Sequence, residues 1–187
     1  MQLLVVCHGE TGYEKSNTVL GWVDKALSEQ GVLAVNQYAS FLIQQKEQID
    51  MVITSPLTRA RQTGTIISNG LGSRLIENEL IKERNFGDMS GKSLEQIQAK
   101  YPELTSIKDV EMFEGFEKSE SVAELQSRIK KFVHFLIQLR NGGRYEKIMI
   151  VTHTIVIRLL LQILREYTDA EMRELPITTL SKFEVEI

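Results

Sequence analysis

Three short apolar runs of strand length constrain this chain more than any other feature: Leu3 to Cys7 (LLVVC), Met51 to Thr54 (MVIT) and Ile148 to Thr152 (IMIVT). None alternates polar with apolar, so each suits a strand covered on both faces, as in the centre of a parallel sheet. Helix signals lie between them. Ser28 is placed to cap a helix carrying Ala34, Tyr38, Phe41 and Leu42 on one face, and Pro56 suits the beginning of another running to about Ser68. Ser93 with Gln96, Ser121 with Glu124 and Thr168 with Glu171 have capping-box spacing and mark three more helix starts. Ser181 to Ile187 alternates and reads as a closing edge strand. Strands alternating with helices predict an α/β fold, a three-layer αβα sandwich with a mostly parallel central sheet.

At 187 residues and 42% hydrophobic, the chain suits one domain over 1–187. Acidic residues number 25 against 22 basic ones, and no Lys/Arg block stands out, so neither nucleic acid nor a membrane surface is implied as a partner. A single cysteine forms no internal disulfide, and the chain runs straight into a strand without a signal-peptide pattern; both suit the cytoplasm. The longest strongly apolar run, Thr154 to Leu164, is interrupted by Arg158 and is too short to span a bilayer.

Sheets of this kind bind ligands beyond the carboxyl ends of their strands. His8 follows LLVVC and His153 follows IMIVT, each read as preceding a helix N-terminus, and Arg59 follows MVIT within Ser55-Pro56-Leu57-Thr58-Arg59. Two imidazoles, a guanidinium and helix N-termini around one crevice describe a pocket for a phosphorylated small molecule or inorganic phosphate. The Ile81 to Asn85 stretch brings a further carboxyl, Glu83, in a charged setting that also suits a solvated loop.

These pieces, together with Gly21-Trp22-Val23-Asp24, Leu27-Ser28-Glu29-Gln30-Gly31, Gly87, Gly91 and Glu120-Ser121, resemble in order and spacing the histidine phosphatase superfamily, which includes cofactor-dependent phosphoglycerate mutases. The resemblance covers nearly the whole chain and implies the phosphoglycerate mutase-like fold. It implies His8 as nucleophile, Glu83 as proton donor to the leaving oxygen, Arg59 and a protonated His153 as phosphate ligands, and Gly9 and Thr154 as phosphate-binding neighbours. The implied activity is a metal-independent phosphomonoester hydrolase acting through phospho-His8. Hydrolase is favoured over mutase because the chain has little room for the insertions with which the family's mutases enclose a bisphosphate.

Two positions depart from the family. Cys7 stands where the family has arginine before the catalytic histidine, and a gap-free alignment puts Glu14 where it usually has asparagine. The pocket loses one positive charge and gains a negative one, while a monoester brings about −1.5 to −2 of its own. One charge at about 4 Å is worth about 4 kcal/mol at an effective dielectric near 20. The alternatives are therefore a catalytically impaired member that binds a phosphate ligand or a protein, or a mutase-type phosphotransferase. Cys7 suits a small buried hydrophobe better than a reactive thiol, since a cysteine phosphatase needs an arginine six positions on, where Tyr13 stands. Glu14 reads equally as a solvated residue, and Arg61 and Arg84 as surface charges or as replacements for the missing arginine. His134 and Trp22 read as packing or exposed residues. His8-Gly9-Glu10 lacks the Pro-Cys-x-x-Cys of a zinc deaminase and no P-loop is present, so neither metal nor cofactor is expected. Lys100 to Glu120 reads as a flap over the crevice, and the chain as a monomer or homodimer.

Overall fold

The computed structural model describes residues 1–165 and 168–187. The apolar runs form three of the strands: β1 (Gln2–Cys7), β3 (Met51–Thr54) and β6 (Lys147–Thr152). With β4 (Arg74–Glu77) and β7 (Lys182–Glu186) they make a five-stranded sheet in the order β4-β3-β6-β1-β7. All neighbours are parallel except β7, which runs antiparallel to β1 at the edge. A two-stranded antiparallel ribbon joins β2 (Thr18–Val19) to β5 (Lys92–Ser93) outside the sheet.

Alternate residues of the central strands feed two cores. Leu3, Val5, Met51, Ile53, Ile148 and Ile150 meet α5 (Val122–Asn141) and α6 (Thr154–Arg165) on one face. Leu4, Val6, Val52, Met149 and Val151 meet α1 (Glu29–Gln44) and α2 (Thr58–Leu71) on the other. Nearly every side chain of β1, β3 and β6 is therefore buried, which is why these strands carry no polar alternation. The three helical boundaries marked by capping boxes are present: Ser93 at α3 (Leu94–Gln98), Ser121 at α5 and Thr168 at α7 (Asp169–Glu174). A fourth box, Ser106 with Asp109, starts α4 (Ile107–Met112).

Several expectations are corrected. The inward face of α1 is Gly31, Val35, Ala39 and Leu42, whereas Phe41 is half exposed. That set follows the helical period from the Ser28 cap. Helix α2 begins at Thr58 and reaches Leu71. Only His153 runs directly into a helix; after His8 the chain passes through a loop and a single turn at Glu14–Ser16 before α1. That loop is tied to α1, because Ser28 N–H donates to the Glu10 carbonyl at 2.9 Å. A Cβ at Gly31 would overlap the same carbonyl, so only glycine allows this approach. Among the described residues no helix is long and apolar enough to cross a membrane.

Candidate active site

Register builds the centre of the site. Cys7 lies opposite Thr152, so the next residues, His8 and His153, leave the sheet side by side. Their rings meet edge to face with centroids 5.1 Å apart. From β3, Ser55 donates its N–H to the Val151 carbonyl and places its hydroxyl 2.8 Å from His153 Nε2. His8 Nδ1 lies 2.7 Å from the Gly9 carbonyl oxygen. A carbonyl can only accept, so Nδ1 carries the proton and Nε2 keeps its lone pair. Arg59 Nε donates toward that lone pair at 3.3 Å.

Arg59 is fully buried and aimed by a distant loop. Its Nη1 and Nη2 donate to the carbonyls of Val23 and Gly21 at 3.1 and 2.8 Å. Asp24 of the same loop accepts from the Thr58 N–H and hydroxyl, both at 2.7 Å, capping α2 where Leu57 offers no side-chain acceptor. The Gly21-to-Asp24 motif thus holds the guanidinium and the start of its helix.

Glu83 is buried, and its Oε1 accepts the Arg84 N–H at 2.9 Å. Its carbonyl is clamped from two sides, by Trp22 Nε1 at 2.6 Å and Arg128 Nη2 at 2.9 Å. Arg128 is in turn gripped by both oxygens of Glu120 at 2.6 and 2.9 Å. Trp22 therefore positions Glu83 and carries the Lys82 ammonium over its outer face, 3.7 Å from the ring centroid.

These groups surround a cavity of about 320 Å³. Cys7, His8, Glu14, Arg59, Glu83 and Thr154 line it, whereas Gly9 and His153 stand behind the lining. The Gly9 N–H is committed to Thr63 Oγ1 at 3.0 Å, so its contribution is the carbonyl that sets the His8 tautomer. The pattern of the histidine phosphatase superfamily (branch 1) matches residues 3–187. The chain belongs to that family.

The chain is 34% identical over 104 residues to a 2,3-bisphosphoglycerate-dependent phosphoglycerate mutase of Parvibaculum lavamentivorans, a stretch covering 54% of the chain and 50% of that protein. The match therefore spans half the relative's length. Phosphoserine phosphatase 1 of Hydrogenobacter thermophilus is 28% identical over 162 residues, covering 84% of the chain and 73% of that enzyme. The fold matches a mycobacterial glucosyl-3-phosphoglycerate phosphatase with a TM-score of 0.84 at 22% identity, over 98% of this chain and 90% of that one.

Burial governs the charges in this pocket. It lowers the His8 pKa to about 4, with Arg59 adding to the effect, and holds His153 well below its usual range, again helped by Arg59 and His8. Burial thus works against the protonated His153 that the family resemblance implies, and its Nδ1 is buried without a hydrogen-bond partner. Burial raises the Glu83 carboxyl, partly offset by the Arg84 N–H and Arg59. Burial and then Glu83 push the Cys7 thiol up to about 12, so it is a neutral part of the core. Glu14 lines the pocket with its carboxylate folded back, accepting the Thr11 N–H at 3.0 and 3.1 Å.

Neither Arg61 nor Arg84 enters the pocket. Arg61 is exposed and reaches Thr58 Oγ1, and buried Arg84 donates to the carbonyls of Glu120, Glu111 and Phe113. His134 is exposed on α5, beside Gln138. Of Glu103, Glu111, Glu114 and Glu117 in the Lys100 to Glu120 segment, only Glu111 lines the pocket; Glu114 caps Val122 and Glu117 faces Lys100 at the surface. Sequence reasoning missed two cationic lining residues, Lys108 and Arg158. The available signal was spacing: Arg158 lies one turn beyond Thr154 and shares its helix face.

The depressed His8 pKa has a stability consequence. Between about pH 6.5 and 4 the unfolded chain binds a proton at His8 that the folded chain refuses, so this residue's contribution falls as pH falls. Relative to His8→Gln, the parent should lose about 2–3 kcal/mol on going from pH 7 to 4. Urea unfolding of both proteins across that range measures it. The acidic groups are common to both and cancel in the difference; a pH-independent difference would show that the ring is not shielded.

Proposed function

We propose that this chain is a metal-independent phosphomonoester hydrolase acting through a phosphohistidine at His8. The observation that carries the reading is the His8 tautomer: with Nδ1–H held by the Gly9 carbonyl, the lone pair of Nε2 faces Arg59 Nε. A phosphoryl group inserted there has a nucleophile on one side and a fixed donor on the other. Nε2 attacks phosphorus as the bond to the leaving oxygen breaks, and protonated Glu83 gives that oxygen its proton. Glu83, now a carboxylate, takes a proton from water as the water oxygen attacks phosphorus and the P–Nε2 bond breaks, releasing orthophosphate. The raised Glu83 pKa supports its acid form in the first step. His153 packs edge to face against His8 and orients its ring.

Cys7 takes the place of the family's arginine, and its neutral thiol leaves Arg59 as the principal phosphate cation. That substitution, with Glu14 in the lining, favours a second reading in which the pocket binds a phosphorylated ligand with little turnover. The relatives' names point to small phosphorylated acids as the first substrates to try. Trapping decides between the readings: acid-labile, base-stable protein phosphate should appear on rapid quenching with such a substrate, at one site, His8. Substrate binding without any trapped phosphate, and without turnover, would sink the hydrolase and leave the binder.

A further inference from the structure

Opposite the His8 wall, Arg158 of α6 and Glu111 of α4 form an ion pair inside the pocket, each side chain only 14% exposed. Three observations make this pair more than a structural tie. Thr154, one turn before Arg158 on the same face of α6, lines the pocket together with Cys7, so that face fronts the position where the family's arginine is missing. Arg158 Nε is buried and has no partner, which leaves a charged donor beside the pocket unsatisfied. Glu111 sits where its negative charge interacts with Glu83, so the pair lies on the side from which the leaving group is protonated.

We infer that Arg158 is a second anion-binding group of this pocket, able to exchange Glu111 for the oxygens of a bound phosphate, so that α6 supplies the cation that position 7 lacks. The inference rests on the phosphoryl-binding reading of the His8–Arg59 centre. A carboxylate already gripping Arg158 is a stand-in for the anion, and an arriving phosphate competes for the same guanidinium. Burial raises the Glu111 carboxyl to about 7 despite Arg158, so near neutral pH Glu111 is a weak competitor.

The test is titration calorimetry with inorganic phosphate at pH 7.5. Arg158→Gln should weaken phosphate binding at least about tenfold, the scale of one lost charge-assisted contact. Glu111→Gln should tighten it by about threefold or more by freeing Arg158, and that gain should vanish in the double variant. Opposite signs from the two halves of one ion pair separate ligand binding from a structural role, which would make both variants weaker. Glu111→Asp, whose shorter carboxylate draws back, carries the same sign if the glutamine variant fails to fold. Arg158→Lys, which keeps the charge, should retain most of the affinity, and Arg158→Met, which keeps the aliphatic stem without the charge, serves in place of Arg158→Gln in the same event and should weaken binding as much. Arg59→Gln separates the two layers of argument. If phosphate binding falls with Arg59→Gln but is unmoved by Arg158→Gln, the pocket reading stands and the inference fails. If neither change moves it, the pocket reading itself fails.

Discussion

His8→Ala is expected to lower turnover of a small aryl phosphate by at least about 10⁴-fold, the loss seen when a covalent nucleophile is removed. Within the site no other group can take over. The Cys7 thiol is pushed up to about 12 and stays protonated, and His153 stands behind the lining with its Nε2 engaged by Ser55. Arg59 keeps its anchors on Gly21 and Val23 when the imidazole is gone, so phosphate should still bind. The expected pattern is therefore loss of kcat with phosphate affinity kept within several-fold. The loss should be partly recovered by added imidazole, which fits the space vacated. Steady-state kinetics with and without 50–100 mM imidazole, roughly the range in which a truncated side chain is replaced by mass action, check it. Turnover surviving in His8→Ala would remove the phosphohistidine from the mechanism.

Glu83→Gln carries the second large effect. Glutamine can still accept the Arg84 N–H, and the Trp22 and Arg128 clamps act on the backbone carbonyl, so the position keeps its geometry. What it loses is the transferable proton, worth about 10²–10⁴-fold in general acid–base catalysis. The size should depend on the leaving group. An alkyl phosphate departs as a strongly basic alkoxide and should suffer the full loss, whereas a nitrophenyl phosphate leaves without help and should phosphorylate His8 almost as fast as the parent does. In the proposed mechanism hydrolysis of the phosphoenzyme uses Glu83 as base, so with the activated ester the variant should show a burst of nitrophenol followed by a slow steady state. Equal losses for both esters, with no burst, would assign the proton to another group, and Glu111, whose carboxyl is raised to about 7 in the same pocket, would be tested next.

Legibility followed the range of the interaction responsible. The strands β1, β3 and β6 are readable because burial on both faces leaves a continuous apolar run. β4 is not, because its outer residues Arg74 and Glu77 are exposed, and β2 and β5 are two residues each. The capping boxes at Ser93, Ser121 and Thr168 are local chemistry and legible in the sequence; the one at Ser106 uses Asp in place of Glu or Gln and departs from the usual pattern.

By itself the sequence determined where the chain leaves the sheet, and hence that His8, His153 and Arg59 share one edge, because strand burial and turn chemistry are written in neighbouring residues. The tertiary structure alone decided which groups face the cavity and in what charge state. Arg84 and Arg158 look alike in the sequence, yet one is spent on the carbonyls of Glu111, Phe113 and Glu120 while the other lines the pocket against Glu111. His153 looks like a phosphate cation, yet burial beside Arg59 works against its charged form. The physical reason is common to both: a charge's energy depends on the desolvation and partners supplied by segments far away in the chain, which no local pattern records.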